Sequence, residues 1–539
     1  MARRGRSNVA VQPALSPAID PITLEVIRHG LIAAAEEMKI NLTRTAHNPI
    51  IYEVLDFSVG IFTPQGEMIA QAAGLPIFLG NLGAAIQTVV ADVGLGNFSP
   101  GDIYIINDTY TTGTHLNDMT VVTPVFFQAA LVGFTASRAH WLDVGSMSPG
   151  GWTSNSTEIF QEGIRLRSIP LYQRGEPNRA VLRIIEDNIR SPQSILGDLR
   201  AQIAAGRTGE ERFKGLLERF GRDTVFASVQ EMFRRSEELT RQAIRTMKPG
   251  VYTAEAFLDD DGVNIDHPKV KVTVTIAGDE MTIDLTGSAP QTTGPINCGL
   301  AAAISGARVA LKCVTAPFDP VNEGAFAPLK VMVPEDCMFN VRYPGPSAIY
   351  GIILITLCDV IFKALADAIP DRIPAAHYGD VCAVFIYGTN PANKQLYIHV
   401  EPEGGGWGGC PHRDGENVLI AIADGDTRNV PVEVIEARYP LRLERYEVRQ
   451  DSGGAGKFRG GLGHYRDYRI LGHHPFLTTT QERSECPPWG LGGGRPGAVN
   501  TLILNPGTPQ EKVVQKASGL QIHDGDLVSV RTGGGGGYG

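Results

Sequence analysis

The stretch from Asp56 to His140 constrains this chain more than any other, because it sets candidate metal ligands beside short strand-like runs. His115 and Asp118 stand three apart in Gly-Thr-His-Leu-Asn-Asp, and His140 follows in Ser-Arg-Ala-His-Trp-Leu-Asp. Runs at 57–62, 103–106, 120–127 and 131–139 are apolar and β-branched and are punctuated by Gly and Pro, the pattern of short strands. Imidazole nitrogens and carboxylate oxygens carried together on such strands suit a divalent cation of borderline hardness, Zn²⁺, Fe²⁺ or Mn²⁺. Each histidine is followed three residues later by an aspartate, Asp118 and Asp143, and Asp108 lies seven positions before the first.

The remainder reads as mixed α/β (α+β) and multi-domain. Asp20-Pro-Ile-Thr opens a helix with Asp20 as N-cap and Pro21 at the first helical position, and Ile22, Val26, Ile27, Leu31 and Met38 continue it to about Thr45. A second, strongly helical segment spans 185–247, with Ile195, Leu199, Ile203, Leu217, Val225 and Met232 on its apolar side. A β-rich middle follows, where Val270-Lys-Val-Thr-Val-Thr-Ile alternates with period two and Gly278-Asp279 turns the chain into a hairpin. Helices are expected again at 301–314 and 349–368. From about 401 the chain is Gly-rich, and its runs are read as loop turns, with Gly533 to Gly537 as a flexible terminus. The organisation expected is a tail at 1–19, a metal-binding α/β region at 20–184, a helical segment at 185–247, an α/β middle domain at 248–400 and a Gly-rich β region at 401–539.

Composition excludes several classes. The 539 residues are 43% hydrophobic and 20% charged, which supports more than one core. Lys and Arg number 48 against 58 Asp and Glu, for a net charge of −10, so a nucleic-acid partner is not expected. Seven scattered cysteines without a Cys-x-x-Cys pair argue against a disulfide scaffold and for a reducing, cytoplasmic setting. Met1-Ala-Arg-Arg-Gly-Arg is not followed by the apolar core of an export signal. The most hydrophobic stretch, 349–369, carries Asp359, Lys363 and Asp367, so it reads as a core helix and no membrane association is expected.

Asn107-Asp108-Thr-Tyr-Thr-Thr-Gly-Thr-His115-Leu-Asn-Asp118 closely resembles the signature of the hydantoinase B/oxoprolinase family. The resemblance runs from Asp20-Pro-Ile-Thr-Leu-Glu-Val-Ile through Glu53-Val-Leu-Asp56, Glu158-Ile-Phe-Gln-Glu162-Gly163, Gly294-Pro-Ile-Asn297 and Pro431-Val-Glu433 to Asp451-Ser-Gly-Gly-Ala-Gly-Lys-Phe-Arg-Gly-Gly. It implies one divalent metal (Zn, Mn or Fe) held by Asp56, His115, Asp118 and His140. It also implies that Asp143 holds a ligand imidazole from outside, with Glu158, Glu162 and Asp108 as further candidates for proton transfer or support; an ordinary salt bridge is the competing reading for the two glutamates. Thr109 and Thr112 depart from the Pro and Gly usual there, which touches loop shape and substrate choice but no ligand.

The activity implied is ATP-dependent opening of a cyclic amide such as a hydantoin, 5-oxoproline or a lactam. Water at the metal attacks a carbon activated by phosphorylation on a hydantoinase A-type, ATP-binding partner, in a hetero-oligomer of A2B2 or similar form. Two alternatives stay open: a ketone carboxylase subunit of the acetone or acetophenone type, whose known members are longer, and a non-catalytic assembly subunit with a structural metal. The chain itself shows no convincing phosphate cradle. Asp451 replaces the first Gly of a P-loop and Phe458 the hydroxyl residue after its Lys. Cys410-Pro-His412-Arg-Asp414 reads as a surface turn, His473-His474 as solvated, and the 284–288 and 294–297 segments either as a substrate-side loop or as structural turns.

Overall fold

The computed structural model describes residues 19–264, 267–425 and 427–539. The tail expected over 1–19 lies outside these residues except for Ile19, which packs against the core. The first helix runs Pro21–Thr45, and the Asp20 carboxylate accepts the Thr23 N–H at 2.9 Å, satisfying one of the free donors of its first turn. Its buried face is Leu24, Ile27, Leu31, Ala35, Met38 and Leu42. Ile22 and Val26, counted to the apolar side in the sequence, point outward instead, while Ile27, Leu31 and Met38 of the same set lie on the face that packs on the helix Pro192–Phe220 and the sheet.

The first sheet has seven strands: β1 (Phe57–Phe62), β2 (Met68–Gln71), β3 (Ile103–Ile106), β4 (Asp118–Phe127), β5 (Ala130–His140), β6 (Ile169–Gln173) and β7 (Glu176–Pro177). Their order is β2-β1-β5-β4-β3-β6-β7, and every pairing is antiparallel. Alternation along β5 assigns its two faces. Thr135 and Ser137 donate to the carbonyls of Gly206 and Gln202 on the long helix Pro192–Phe220, while Arg138, one residue on, reaches Asn81 at the start of the helix Leu82–Val93. Helices therefore cover both faces, which explains why the middle strands read as continuous apolar runs. Of the helical segment, Arg179–Asn188 and Pro192–Phe220 pack on this sheet, while Arg222–Arg245 packs on the helices Pro21–Thr45 and Pro192–Phe220 and reaches the strand Glu280–Asp284 of the second sheet.

A second sheet contains the expected hairpin, Lys269–Ala277 with Glu280–Asp284, whose Val270, Val272, Val274 and Ile276 are buried beneath the apolar helix Tyr350–Leu365. A four-stranded and a five-stranded sheet complete the C-terminal half. The 76–93 stretch, not singled out in the sequence, is apolar enough over 18 residues to compare with a membrane span, yet it folds as two helices, Pro76–Leu79 and Leu82–Val93, and half of it is buried in the core.

The Gly-rich runs require a correction. Gly533 to Gly537 are buried rather than flexible, and they thread between the other glycine segments with hydrogen bonds from Gly406 N to Gly533 O (3.0 Å), Gly454 N to Gly535 O (2.8 Å) and Gly409 N to Gly536 O (2.8 Å). At Gly535 an added Cβ would lie 2.0 Å from the Trp407 carbonyl oxygen, so the backbones approach more closely than any side chain permits. The run 451–458 belongs to this packing, with Lys457 and Phe458 bonded to the backbones of Gly539 and Tyr538.

Candidate metal centre

Strand register brings the candidate ligands together. Asp118 opens β4, His140 closes β5, and the two are directly paired; Phe57 of β1 pairs with Ala139, and the His140 N–H donates to the Asp56 carbonyl at 3.1 Å. Asp56, Asp118 and His140 thus sit at one end of three adjacent strands. His115 arrives from the loop just before β4. That loop turns at Gly113, where φ is 91° and an added Cβ would lie 2.3 Å from the Ala302 nitrogen, so no side chain fits. Asn107 holds it, donating to the carbonyls of Leu116 and Ile164 at 2.7 and 2.9 Å and accepting the Leu166 N–H at 2.7 Å. Leu55, before Asp56, has φ 65°, a conformation costing a branched residue about 1–2 kcal/mol, and it turns the Asp56 side chain toward the histidines.

The ligand atoms of His115, Asp118 and His140 all lie within 4.8 Å of one another. Nδ1 of His115 is 3.3 Å and Nδ1 of His140 3.5 Å from Oδ1 of Asp118, and Asp56 Oδ2 is 3.7 Å from His140. Tyr350, at the start of its helix, donates to Oδ2 of Asp118 at 2.9 Å and leaves Oδ1 facing the imidazoles. Four buried atoms here have no hydrogen-bond partner: Asp56 Oδ1, His115 Nδ1, Asp118 Oδ1 and His140 Nε2. Bare polar atoms in such a place cost several kcal/mol, and one divalent cation would satisfy them and balance both carboxylates. The residues present fit such an ion.

Electrostatics agree with a site shaped for positive charge. Burial raises the Asp56 carboxyl to about 7 and lowers His115 to about 4. Burial also pulls the His140 imidazolium down, but the adjacent carboxylates of Asp118 and Asp56 outweigh it and leave it raised. Tyr350 is held far above its ordinary value by burial and then by the Asp118 charge, so it remains a donor.

The donors open on a cavity of about 70 Å³ with mostly apolar walls, including Ile50, Val54, Leu75, Phe78 and Phe385. Trp152 also lines it, edge-on to His115 at 5.8 Å, stacked on Phe385 and fixed by its indole N–H to Thr480 Oγ1 at 2.9 Å. Asp424 and Thr427 complete the lining from the C-terminal half. Tyr350, Trp152 and Asp424 carry no spacing relation to the ligands in the sequence; an aromatic residue heading an apolar helix was the sole hint of the first.

The other expected site residues are placed apart. Asp143, expected on a ligand imidazole, has its oxygens taken by Arg190, through Nη1 at 2.7 Å and the backbone N–H at 2.8 Å, and by the Gly145 N–H at 3.3 Å. Burial forced that carboxylate to find a cation, and the nearest was an arginine. Asp108 caps the turn Thr109–Thr112, accepts from Thr111 and lies 3.7 Å from Arg165. Glu158 is exposed and caps a short 3₁₀ turn. Glu162 is buried and accepts from Ser156 Oγ (2.8 Å) and the backbone N–H groups of Ser347 (2.8 Å) and Ala348 (2.9 Å), fastening the approach to Tyr350. Asn297 does the same from the 294–297 segment, donating to the Pro346 carbonyl at 3.1 Å, so that segment is a structural brace. Cys410 and Arg413 close a tight turn as expected, whereas His473 is half-buried and bonded to Tyr397 at 2.6 Å rather than solvated.

Residues 20–539 match the Hydantoinase B/oxoprolinase family. The chain is 32% identical to the B-type component of a putative D-/L-hydantoinase from a Pseudomonas species (strain NS671), covering 97% of this chain and 90% of that one. Among solved structures it superposes on the ATP-dependent caprolactamase of Pseudomonas jessenii with a TM-score of 0.90 at 28% identity, over 97% of this chain and 92% of that one. It shares its fold with an acetone carboxylase chain, at TM-score 0.88 and 18% identity over 96% of this chain and 76% of the other. Matched from its first helix to its last residue, the chain belongs to the hydantoinase B/oxoprolinase family.

Proposed function

We propose that this chain is the metal-holding catalytic subunit of an ATP-dependent cyclic amide hydrolase, of hydantoinase, oxoprolinase or lactamase type. It would act with a hydantoinase A-type subunit that uses ATP to phosphorylate the amide oxygen. The observation that carries this reading is that Asp56, His115 and His140 line one cavity with Asp118 Oδ1 against both imidazoles, each of the four with an atom lacking a partner. A divalent cation there, Zn, Mn or Fe, supplies the charge that lowers the pKa of a water toward neutrality. Tyr350 aims the free oxygen of Asp118, and Trp152 and Phe385 keep the cavity apolar, so charge–dipole interactions inside it are strengthened. A cavity beside the ligands favours chemistry over a purely structural metal, whose site would be closed.

Asp143 and Asp108 enter this reading as residues that position the ligand-bearing loops; exposed Glu158 has no part in it. The partner matters because an amide carbon is a poor electrophile until its oxygen is activated. Co-expression with a hydantoinase A-type subunit tests the proposal, using hydantoin, 5-oxoproline, ε-caprolactam and acetone as substrates with and without bicarbonate. Ring opening that needs both partner and ATP but not bicarbonate is expected. Bicarbonate-dependent consumption of acetone, or full-rate ring opening by the isolated chain without nucleotide, would replace it with another reading.

A further inference from the structure

One acidic residue reaches the site from the far end of the chain. The segment around Asp424 is fastened to the rim of the cavity on both sides: the Ala423 carbonyl accepts the Ile77 N–H at 3.3 Å, and the Arg428 N–H donates to the Val54 carbonyl at 2.9 Å. Just beyond, Glu401 Oε1 accepts from Asn429 Nδ2 at 2.6 Å and the Val430 N–H at 2.9 Å, and is itself held by the buried Arg466 at 2.8 Å. The segment is therefore anchored at its base and at its tip. Between these anchors the Asp424 side chain lines the same cavity as Asp56, His115 and His140, and its Oδ2 is buried without a hydrogen-bond partner. Burial, and then the charges of Asp56, Asp380 and Asp118, hold its carboxyl far above the ordinary range. Thr427, whose Oγ1 is likewise buried and unpartnered, lies beside it in the lining.

We propose that Asp424 is a catalytic residue of this site, a proton carrier between the attacking water and the ring nitrogen of the cyclic amide. The assignment rests on the hydrolytic reading above. Once the amide oxygen carries a phosphoryl group, the carbon is doubly bonded to nitrogen. Addition of one water forms a C–O bond, the C–N bond breaks with its electron pair on nitrogen, and the products are an amine and an acyl phosphate. Both water protons end on nitrogen, so two transfers from oxygen to nitrogen are needed. A carboxyl group that takes each proton and releases it returns to its starting state. Asp424 suits this because it lines the cavity, has an oxygen without a partner, and comes from a segment separate from the strands that carry the four proposed ligands.

The test is Asp424→Asn in the metal-loaded complex with its partner subunit and ATP, with hydantoin, 5-oxoproline and ε-caprolactam as probes. Metal content and melting temperature should match the wild type, and substrate-dependent ATP turnover should persist while ring opening falls by about 10²–10⁴-fold. Asp424→Ala should recover part of its activity on addition of formate, which a merely structural carboxylate would not allow. Undiminished ring opening in Asp424→Asn overturns the assignment, and so does loss of the metal, which would make Asp424 a ligand. If the wild-type complex opens none of the probes, the hydrolytic reading falls and this role with it; if only the variant is indistinguishable from wild type, the role of Asp424 alone falls.

Discussion

At the scale of single residues, the site depends on donors that have no other partner to keep them. His115→Ala or His140→Ala removes one of the four proposed ligands, and each variant should lose most of a stoichiometric divalent metal while retaining its fold, since the sheet beneath is held by its ladder and core. Elemental analysis of the purified variants checks this; full occupancy in both would dismiss the site. Asp143→Asn should keep the metal, because its oxygens serve Arg190 and not the imidazoles. Glu162 gives a pH signature. Burial raises its carboxyl to about 7, against an ordinary value of 4.5, despite three hydrogen bonds that lower it. The folded state thus favours the protonated form, so stability falls as pH rises from about 4.5 to 7 and stays low above, by an amount on the order of 3 kcal/mol. Glu162→Gln keeps an oxygen for the same donors and removes the ionisation, so it should melt above the wild type at pH 8 and approach it at pH 5. Thermal melts at the two pH values decide; equal offsets would contradict the burial argument. His115, Asp118 and His140 were legible in the sequence because their separations map onto one hairpin and the loop before it. Asp424 and Tyr350 were not, because tertiary packing alone brings them to the same cavity.

At the scale of elements, the strands and helices were readable wherever side chains carry the period, as in the 57–62 and 103–106 strands and the Val270–Ile276 alternation. The Gly-rich segments were not, because a glycine run has no hydrophobic pattern and looks the same whether it is a mobile terminus or a packed layer. What separates the two is the room available. Gly535 lies with its backbone against Trp407, and Gly536 against Trp489, at separations that an added methyl would close to 2.0 Å. Gly535→Ala must therefore push two backbone segments apart and loosen the bonds from Gly454 and to Gly461. Overpacking of this kind costs about 1–3 kcal/mol or more. The variant should melt measurably lower and expose the C-terminal residues to protease, whereas Ala at the exposed turn residue Gly278, despite its φ of 66°, should cost about 1 kcal/mol and leave the terminus protected. Limited proteolysis with mass spectrometry distinguishes the two; a C-terminus equally resistant in both would show that the glycine layer has slack.

At the scale of the whole molecule, the site is where three regions meet. All four proposed ligands come from the first, 20–184, but Tyr350 comes from the middle region, and Asp424, the Thr480 that holds Trp152, and the Glu401 anchor come from the strands and loops of the C-terminal half. Further bonds tie the same regions near the cavity: Gly299 N to Gly113 O at 3.3 Å, Ile159 N to Pro344 O at 2.9 Å and Arg428 N to Val54 O at 2.9 Å. One continuous hydrophobic core passes beneath all of them. The regions expected from the sequence therefore share their interior, and a ligand that favours the folded first region should stabilise the others through it. Metal binding at a free concentration a thousandfold above Kd adds about 4 kcal/mol to the folded state. If the regions unfold together, removal of the metal by a chelator should shift the entire calorimetric transition to lower temperature, and restoring Zn²⁺ or Mn²⁺ should return it, with no part of the heat absorption left behind. His115→Ala should melt near the chelated wild type and respond little to added metal. Two separate peaks of which only one follows the metal would mean that the C-terminal half folds on its own and lends the site its walls without sharing its stability.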